Sequence, residues 1–565
     1  MYRPHSYSDI VTKIYPLVLL AMSLLGFFSL VTSQGASFPV MAHRVWTMQS
    51  LHFTGTMETL LLSTFLVWVV LTVIRGVKII YVFPVVVVFS LSFLGLELFA
   101  GLAALTGVAI SLFFFKDYMR LLGYLVLLVI ILEFFSLLHW LFLYPAGIGV
   151  LAGVAGFEAQ VYYLFAQVGP WLYLSLSFIV LFLFSSTITK PILGEKTRES
   201  QASSSNLGLV VLVLVSFLAA AYPYIPSVNP KGVTAGIDAF HYLEAYEGVE
   251  DNLLNIFSVY EGSRPTIFLI IYFLRITTGA EVLSILRFLP FAVYPMLVYA
   301  TYGFTLEVLG DNETAVWASF FTLTGVQLTV GAFSYYVTNM LALVFMYMSL
   351  ICLFRYLRLG SVLVLAASIF FAGLTVFTHP WTSDQYVGSA VLTAIITGYF
   401  EWRGNLGFTK TRALFAYILG VFAFYLLKSW MVTDIKGTFT LITLADSFTS
   451  VSQFLFQLQW GTLYKYGGLM ANILAILLLI AGVFSIKPKN DTLHYLFNFI
   501  SASSLVFLVG NESIKSRILY NIPIGIFMAV GLLNLTKDLS NRRTVLGAVV
   551  LFQLAYLLRS FANIV

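Results

Sequence analysis

Four ionisable side chains, Asp238, His241, Glu244 and Glu247, crowd the stretch GIDAFHYLEAYEGV at 236–249, in a chain where only 10% of residues are charged. On a helix Asp238 and His241, three apart, share a face, while Glu247 points away. A carboxylate at an aqueous-membrane boundary suits general-base work, because it is ionised near its ordinary pKa and an acceptor hydroxyl can reach it. The position equally suits the N-cap or first-turn acid of a short surface helix, where the helix dipole favours negative charge. Glu244, Glu247, Glu250 and Asp251 read as the solvated side of that helix.

Two further segments carry chemistry-bearing residues. In FTHPWTSDQ, 377–385, Pro380 drives His379 out of helical geometry and makes a helix exit. His379, Trp381 and Asp384 then form an aromatic face beside hydrogen-bonding groups, which suits a sugar ring and also suits a capped loop with an interfacial Trp. In NESIKSRILYNIPIG, 511–525, Lys515 and Arg517 stand at the start of an apolar run. Cations there either stabilise charge on a phosphate or snorkel to the interface. Arg264 opens RPTIFLIIYFLRITTG, whose apolar run is too short to span a bilayer and reads as an interfacial helix. Asp238, His241, His379 and Asp384 together offer oxygen and imidazole ligands suited to Mn²⁺ more than Mg²⁺, at no diagnostic spacing.

The elements that must position these residues are membrane helices. The chain has 565 residues, is 60% hydrophobic and holds 52 Phe and 32 Tyr, with a mean hydropathy of +0.94. Apolar windows recur without the period-two alternation of a β-barrel, and the reading is an all-α polytopic membrane protein of about 17 transmembrane helices. The polar stretch GEKTRESQASSSN, 194–206, marks a cytoplasmic linker. It separates an N-terminal transmembrane module, 1–193, of about 6 helices from a module at 207–565 of about 11. Basic turns such as RGVK at 75–78, KDYMR at 116–120, RYLR at 355–358 and KDLSNRR at 537–543 fall on one side. The positive-inside rule then makes the N-terminus cytoplasmic and puts the Asp238, His379 and Lys515 segments on the outer face.

The formal charge of +5, with no basic patch interleaved with stacking aromatics, argues against a nucleic-acid partner. The single Cys352 leaves no intrachain disulfide. No P-loop, dinucleotide fingerprint or Gly-Xaa-Ser-Xaa-Gly elbow appears, so nothing supports a soluble nucleotide-sugar mechanism.

From 207 to 565, the early loop Asp followed by SRPTIFLIIYFLRITTGAEVLSILRFLPFAVYPMLVYATYGFTLEVLGDNETA resembles the GT-C superfamily of polyprenyl-phosphate-sugar glycosyltransferases. Protein O-mannosyltransferases and lipid A aminoarabinose transferases show a similar run: Arg-Pro opening a surface helix, Arg-Xaa-Xaa-Pro entering the next span, a helix with small residues and a Gly-containing inner turn. The resemblance implies a GT-C-like helical bundle with an outer-face catalytic loop, preceded here by the extra N-terminal module. It implies that Asp238 is the catalytic base and that Arg517, then Lys515, then Arg264 meet the prenyl phosphate. His241, His379, Trp381 and Asp384 would position sugar and acceptor. Position 239 is Ala where many members carry a second acid, and the Trp-Trp-Asp signature of oligosaccharyltransferases is absent, which disfavours en bloc transfer to Asn.

The expected activity is inverting transfer from a polyprenyl-phosphate-linked sugar to a hydroxyl of a glycolipid, lipid-linked glycan or protein, at the outer face of the plasma membrane. Membrane lipids are the other partners. No cofactor is required by the sequence, with a divalent Mn or Mg as an option. Two alternatives stand: a lipid or lipid-linked sugar transporter or flippase, and a glycan ligase or polymerase using a lipid pyrophosphate donor.

Overall fold

The structure, a computed structural model, describes residues 207–226, 238–250, 252–404, 408–432, 473–486, 520–537 and 542–562, with positions 229, 234, 236 and 539. The N-terminal module, the linker 194–206, nearly all of the expected capping loop at 432–465, and Lys515 and Arg517 lie outside the described residues. The chain divides into two compact units, and the candidate residues that are described all fall in the one formed by Ile188–Gln457, Leu478–Lys537 and Gln553–Val565.

Among the described residues the regular structure is helical, with no strand. The helices are α1 (Leu207–Ala221), α2 (Ala239–Glu250), α3 (Pro265–Thr278), α4 (Val282–Leu309), α5 (Asn312–Thr324), α6 (Val326–Ser334), α7 (Val337–Leu359), α8 (Val362–Thr378), α9 (Pro380–Arg403), α10 (Thr409–Met431), α11 (Ile473–Ser485), α12 (Ile524–Thr536) and α13 (Arg542–Ala562). Five stretches are long and apolar enough to cross a membrane: Leu207–Tyr224, α4, Asn312–Ala332, α7 and α10. α3, with 14 residues, is about 21 Å long and falls short of a hydrocarbon core.

α4 packs against α1, α5 and α7; α7 packs against α8; α8 packs against α9 and α10; and α12 lies on α5. Close approach depends on small residues, as expected where lipid supplies no hydrophobic drive between helices. A Cβ on Gly373 of α8 would sit 2.7 Å from the Phe424 ring, and one on Gly420 of α10 would sit 2.6 Å from Ile369. A polar knot crosses the same helices: Ser349 Oγ donates to the Ser368 carbonyl at 2.8 Å and lies 3.1 Å from the Tyr417 hydroxyl. The stretch Asn312–Ala332 is kinked at Gly325, where α5 gives way to α6 and an added Cβ would strike the Phe321 carbonyl.

α9 is longer than the expected span at 386–400, and it does not meet the apolarity of a lone membrane helix. Thr382, Gln385, Ser389 and Thr393 recur at three- and four-residue spacing, all buried, with Ser383 and Asp384 buried beside them.

Candidate functional site

α2 is a short amphipathic helix whose inward stripe is Ala239, Tyr242, Tyr246 and Val249. His241, Glu244 and Glu247 are exposed. The His241 ring lies 3.7 Å from Glu244, so the structure turns it outward and gives it that carboxylate as a neighbour. Asp238 stands just before the first turn, half-buried, and its backbone N–H donates to the Ser334 carbonyl at 3.3 Å. Two close approaches seat this segment on the α6–α7 junction. Gly236, at φ +99, leaves no room for a Cβ, which would sit 2.7 Å from Tyr335 Cβ. Tyr335 itself is left-handed at φ 57, and its hydroxyl donates to the Leu286 carbonyl.

Arg264, across from this segment, reaches α2 through Tyr242. Pro265 occupies the first turn of α3, where a missing N–H costs nothing, and Arg264 is the N-cap. A cation there is at the wrong end of the helix dipole. Specific neighbours hold it. Arg264 Nη1 donates to the Tyr242 hydroxyl, which lies 2.8 Å from Thr338 Oγ1 on α7. The guanidinium also sits over two rings, 5.6 Å from the Tyr242 centroid and 5.4 Å from that of Tyr260. Burial alone would lower the Arg264 pKa; Tyr242, the Asp238 carboxylate and Tyr260 outweigh it and hold the pKa above its ordinary value. Burial, followed by Tyr242, pushes the Tyr260 phenol up to about 12, so this ring presents a neutral hydroxyl. The backbone leading into Arg264 is itself unusual: Tyr260, Glu261 and Gly262 are all left-handed, at φ 51, 57 and 68.

A second cluster joins the ends of α7, α8, α9 and α12. His379 is extended, at φ −157 and ψ 103, as Pro380 dictates, and only 3% exposed. Its Nδ1 lies 2.9 Å from Thr382 Oγ1 and 3.4 Å from Asn339 Nδ2. Asn521, far along the chain, donates to Gln385 Oε1 at 2.9 Å and accepts from Thr382 Oγ1 at 3.3 Å. Among the described residues, Asn339 Oδ1 is a buried acceptor with no hydrogen-bond partner.

No family model and no curated protein sequence matches this chain. The site therefore stands on its own geometry.

Trp381 is half-buried at the head of α9, but Asp384 is not a surface residue: it is 7% exposed and accepts a hydrogen bond from Tyr425 on α10 at 2.5 Å. Among the described residues no three of His, Cys, Asp and Glu gather as a metal site, so Asp238, His241, His379 and Asp384 do not converge on one ion. Sequence reasoning missed Tyr242, Tyr260, Asn339, Tyr425, Lys428 and Asn521. Only Tyr242 had a local signal, the inward spacing of Ala239, Tyr242, Tyr246 and Val249.

Proposed function

We propose that the protein is an inverting glycosyltransferase of the GT-C type, using a polyprenyl-phosphate-linked sugar at the outer membrane face. One observation carries this reading: Arg264, at a helix start that disfavours cations, is bound through Tyr242 to the short helix that Asp238 opens, where that helix meets the bundle.

In the proposed reaction the Asp238 carboxylate takes the proton from an acceptor hydroxyl as its oxygen attacks the anomeric carbon. The bond from that carbon to the phosphate oxygen breaks in the same displacement, so configuration inverts and the prenyl phosphate leaves with an added negative charge. Arg264 stabilises that growing charge, and Arg517 and Lys515 are proposed to join it from the late loop. His379, Trp381 and the neighbouring Thr382 and Asn339 supply neutral donors and acceptors for the sugar, among them the unfilled Asn339 Oδ1. The mechanism as written needs no metal. The wider reading, about 17 transmembrane helices with about 6 in an N-terminal module and about 11 in the bundle behind it, belongs to the same proposal.

Full-length protein in sealed proteoliposomes, given a prenyl-phosphate sugar outside and a glycosyl acceptor, decides the class. The expected result is a glycosidic product that Asp238→Asn abolishes while the variant still binds a prenyl phosphate. Near-wild-type transfer by that variant would sink the assignment. Passage of the lipid-linked sugar across the bilayer with no product formed would establish the transporter reading in its place.

A further inference from the structure

Lys428 stands in the last turn of α10 and is fully buried. A buried ammonium needs acceptors or opposite charge, and here it has both. Its Nζ donates to the Val376 carbonyl at 2.8 Å and to the Ser263 carbonyl at 2.9 Å. The charges acting on it are the Asp384 carboxylate, favourably, and Arg264, unfavourably.

Each acceptor has a reason to need this donor. Val376 lies in the last turn of α8, and the residue four further on, which would supply the intrahelical N–H, is Pro380. Ser263 precedes the α3 N-cap, so its carbonyl lies outside the helix ladder. The ammonium also sits where the negative ends of the α8 and α10 dipoles meet. The strap that Lys428 holds is the left-handed run Tyr260–Gly262, and it packs tightly on the end of α10: a Cβ on Gly262 would sit 2.5 Å from Val432 Cγ1.

We propose that Lys428 is a positioning residue: it ties the Ser263 carbonyl to the end of α8 and so fixes the backbone that carries Arg264. Its consequence for ligand binding rests on the reading of Arg264 as a phosphate contact. The strap itself does not. Without the ammonium, a segment of three left-handed residues has lost its one charged anchor to the bundle, and relaxation toward ordinary backbone swings Arg264 away from Tyr242.

Amide hydrogen exchange on the full chain in detergent tests the strap directly. In Lys428→Met, peptides covering 257–265 should exchange about 10-fold faster or more, as expected for a lost charge-assisted hydrogen bond. Peptides covering the α4–α5 turn at 309–312 should be unchanged, and Lys428→Arg should restore part of the protection. Since Lys428→Met leaves Asp384 with a buried charge to carry, Lys428→Met/Asp384→Asn is measured alongside, so that loosening of the strap is read in a protein with both charges removed. Unchanged exchange at 257–265 overturns the proposal, as does equal acceleration at both ends of the bundle.

Binding of a short-chain prenyl phosphate in micelles gives the second readout. Lys428→Met and Arg264→Gln should each weaken it about 10-fold, and the double variant should be no weaker than Arg264→Gln alone, because one residue acts through the other. Additive losses would mean that Lys428 touches the phosphate itself, and positioning would be the wrong role. If the wild-type protein does not bind the probe, the glycosyl-transfer reading falls and the exchange measurement alone decides Lys428.

Discussion

The two ends of this helical bundle handle charge in opposite ways. At the end holding the α4–α5 and α7–α8 turns, Glu307 pairs with Arg355 at 3.1 Å and with Arg358, and both arginines are about half exposed. Helices stop there on glycines: Gly310 and Gly360 are left-handed at φ 68 and 69, in open space. Helices start on acids: Asp311 accepts from the Thr314 N–H at 2.9 Å, and Glu401 accepts from the Lys410 N–H at 3.0 Å to begin α10. The glycine and acid caps are local and close to what helix-end physics favours, while the Glu307 pairs join helix ends 48 and 51 residues apart.

The end holding Arg264 does the reverse. Its left-handed positions include Tyr260, Glu261 and Tyr335, residues that pay a steric penalty there. One arginine caps the wrong end of a helix, and one lysine is fully buried. The contacts that compensate are distant in sequence, 22 residues for Arg264 with Tyr242 and 165 for Lys428 with Ser263. Left-handed non-glycine backbone and a buried cation gathered at one end, with glycine turns and paired or capping carboxylates at the other, is the pattern of a site whose arrangement serves something besides stability.

The sharpest break of this comparison is catalytic. Asp238→Asn and Arg264→Gln should each lower glycosyl transfer by at least about 100-fold, whereas Glu307→Gln at the opposite end should leave it within about 3-fold. Transfer kinetics on matched amounts of folded protein would show it, and equal losses at both ends would dissolve the contrast.

Smaller and also two-sided is the backbone test. Gly310→Ala should destabilise by about 1 kcal/mol, since its left-handed backbone disfavours a Cβ even in open space. Glu261→Gly, exposed at φ 57, should stabilise by a similar about 1 kcal/mol through relief of strain. Thermal unfolding of the pair must shift in opposite directions; a Glu261→Gly variant that unfolds earlier would show that the left-handed turn is not strained.

Loss of the α10 cap through Glu401→Ala should cost about 1 kcal/mol and leave binding of a prenyl phosphate unaltered, which separates capping from function at that end. The smallest effect concerns pH. With the Tyr260 phenol pushed to about 12, the ring stays protonated below about pH 11. Tyr260→Phe should therefore not move the alkaline limb of a transfer profile, and a displaced limb would show that this hydroxyl titrates in the working range.

Much of the scaffold could be read from the chain because its causes are local. Apolar windows announced α4, α7 and α10; Pro380 announced the extended His379; the short apolar run after Arg264 announced a helix too short to span. Glu244 and Glu247, read as the solvated side of a helix, are exposed. The partners at the site could not be read this way. Nothing near Lys428 in sequence points to Ser263, and nothing near Asn521 points to Gln385, because those pairings exist only once several helix ends have converged. His241 shows the limit of spacing alone: three residues from Asp238, it turns outward to Glu244.

The polar face of α9 bears on how the chain is made. α9 carries Asp384 in its second turn together with buried Thr382, Gln385, Ser389 and Thr393, and each polar group lowers the tendency of the helix to insert by itself. Tyr425, which donates to Asp384, and Lys428, which answers its charge, lie on α10 and leave the ribosome after all of α9 has been synthesised. α9 thus reaches the bilayer before the residues that make it tolerable there.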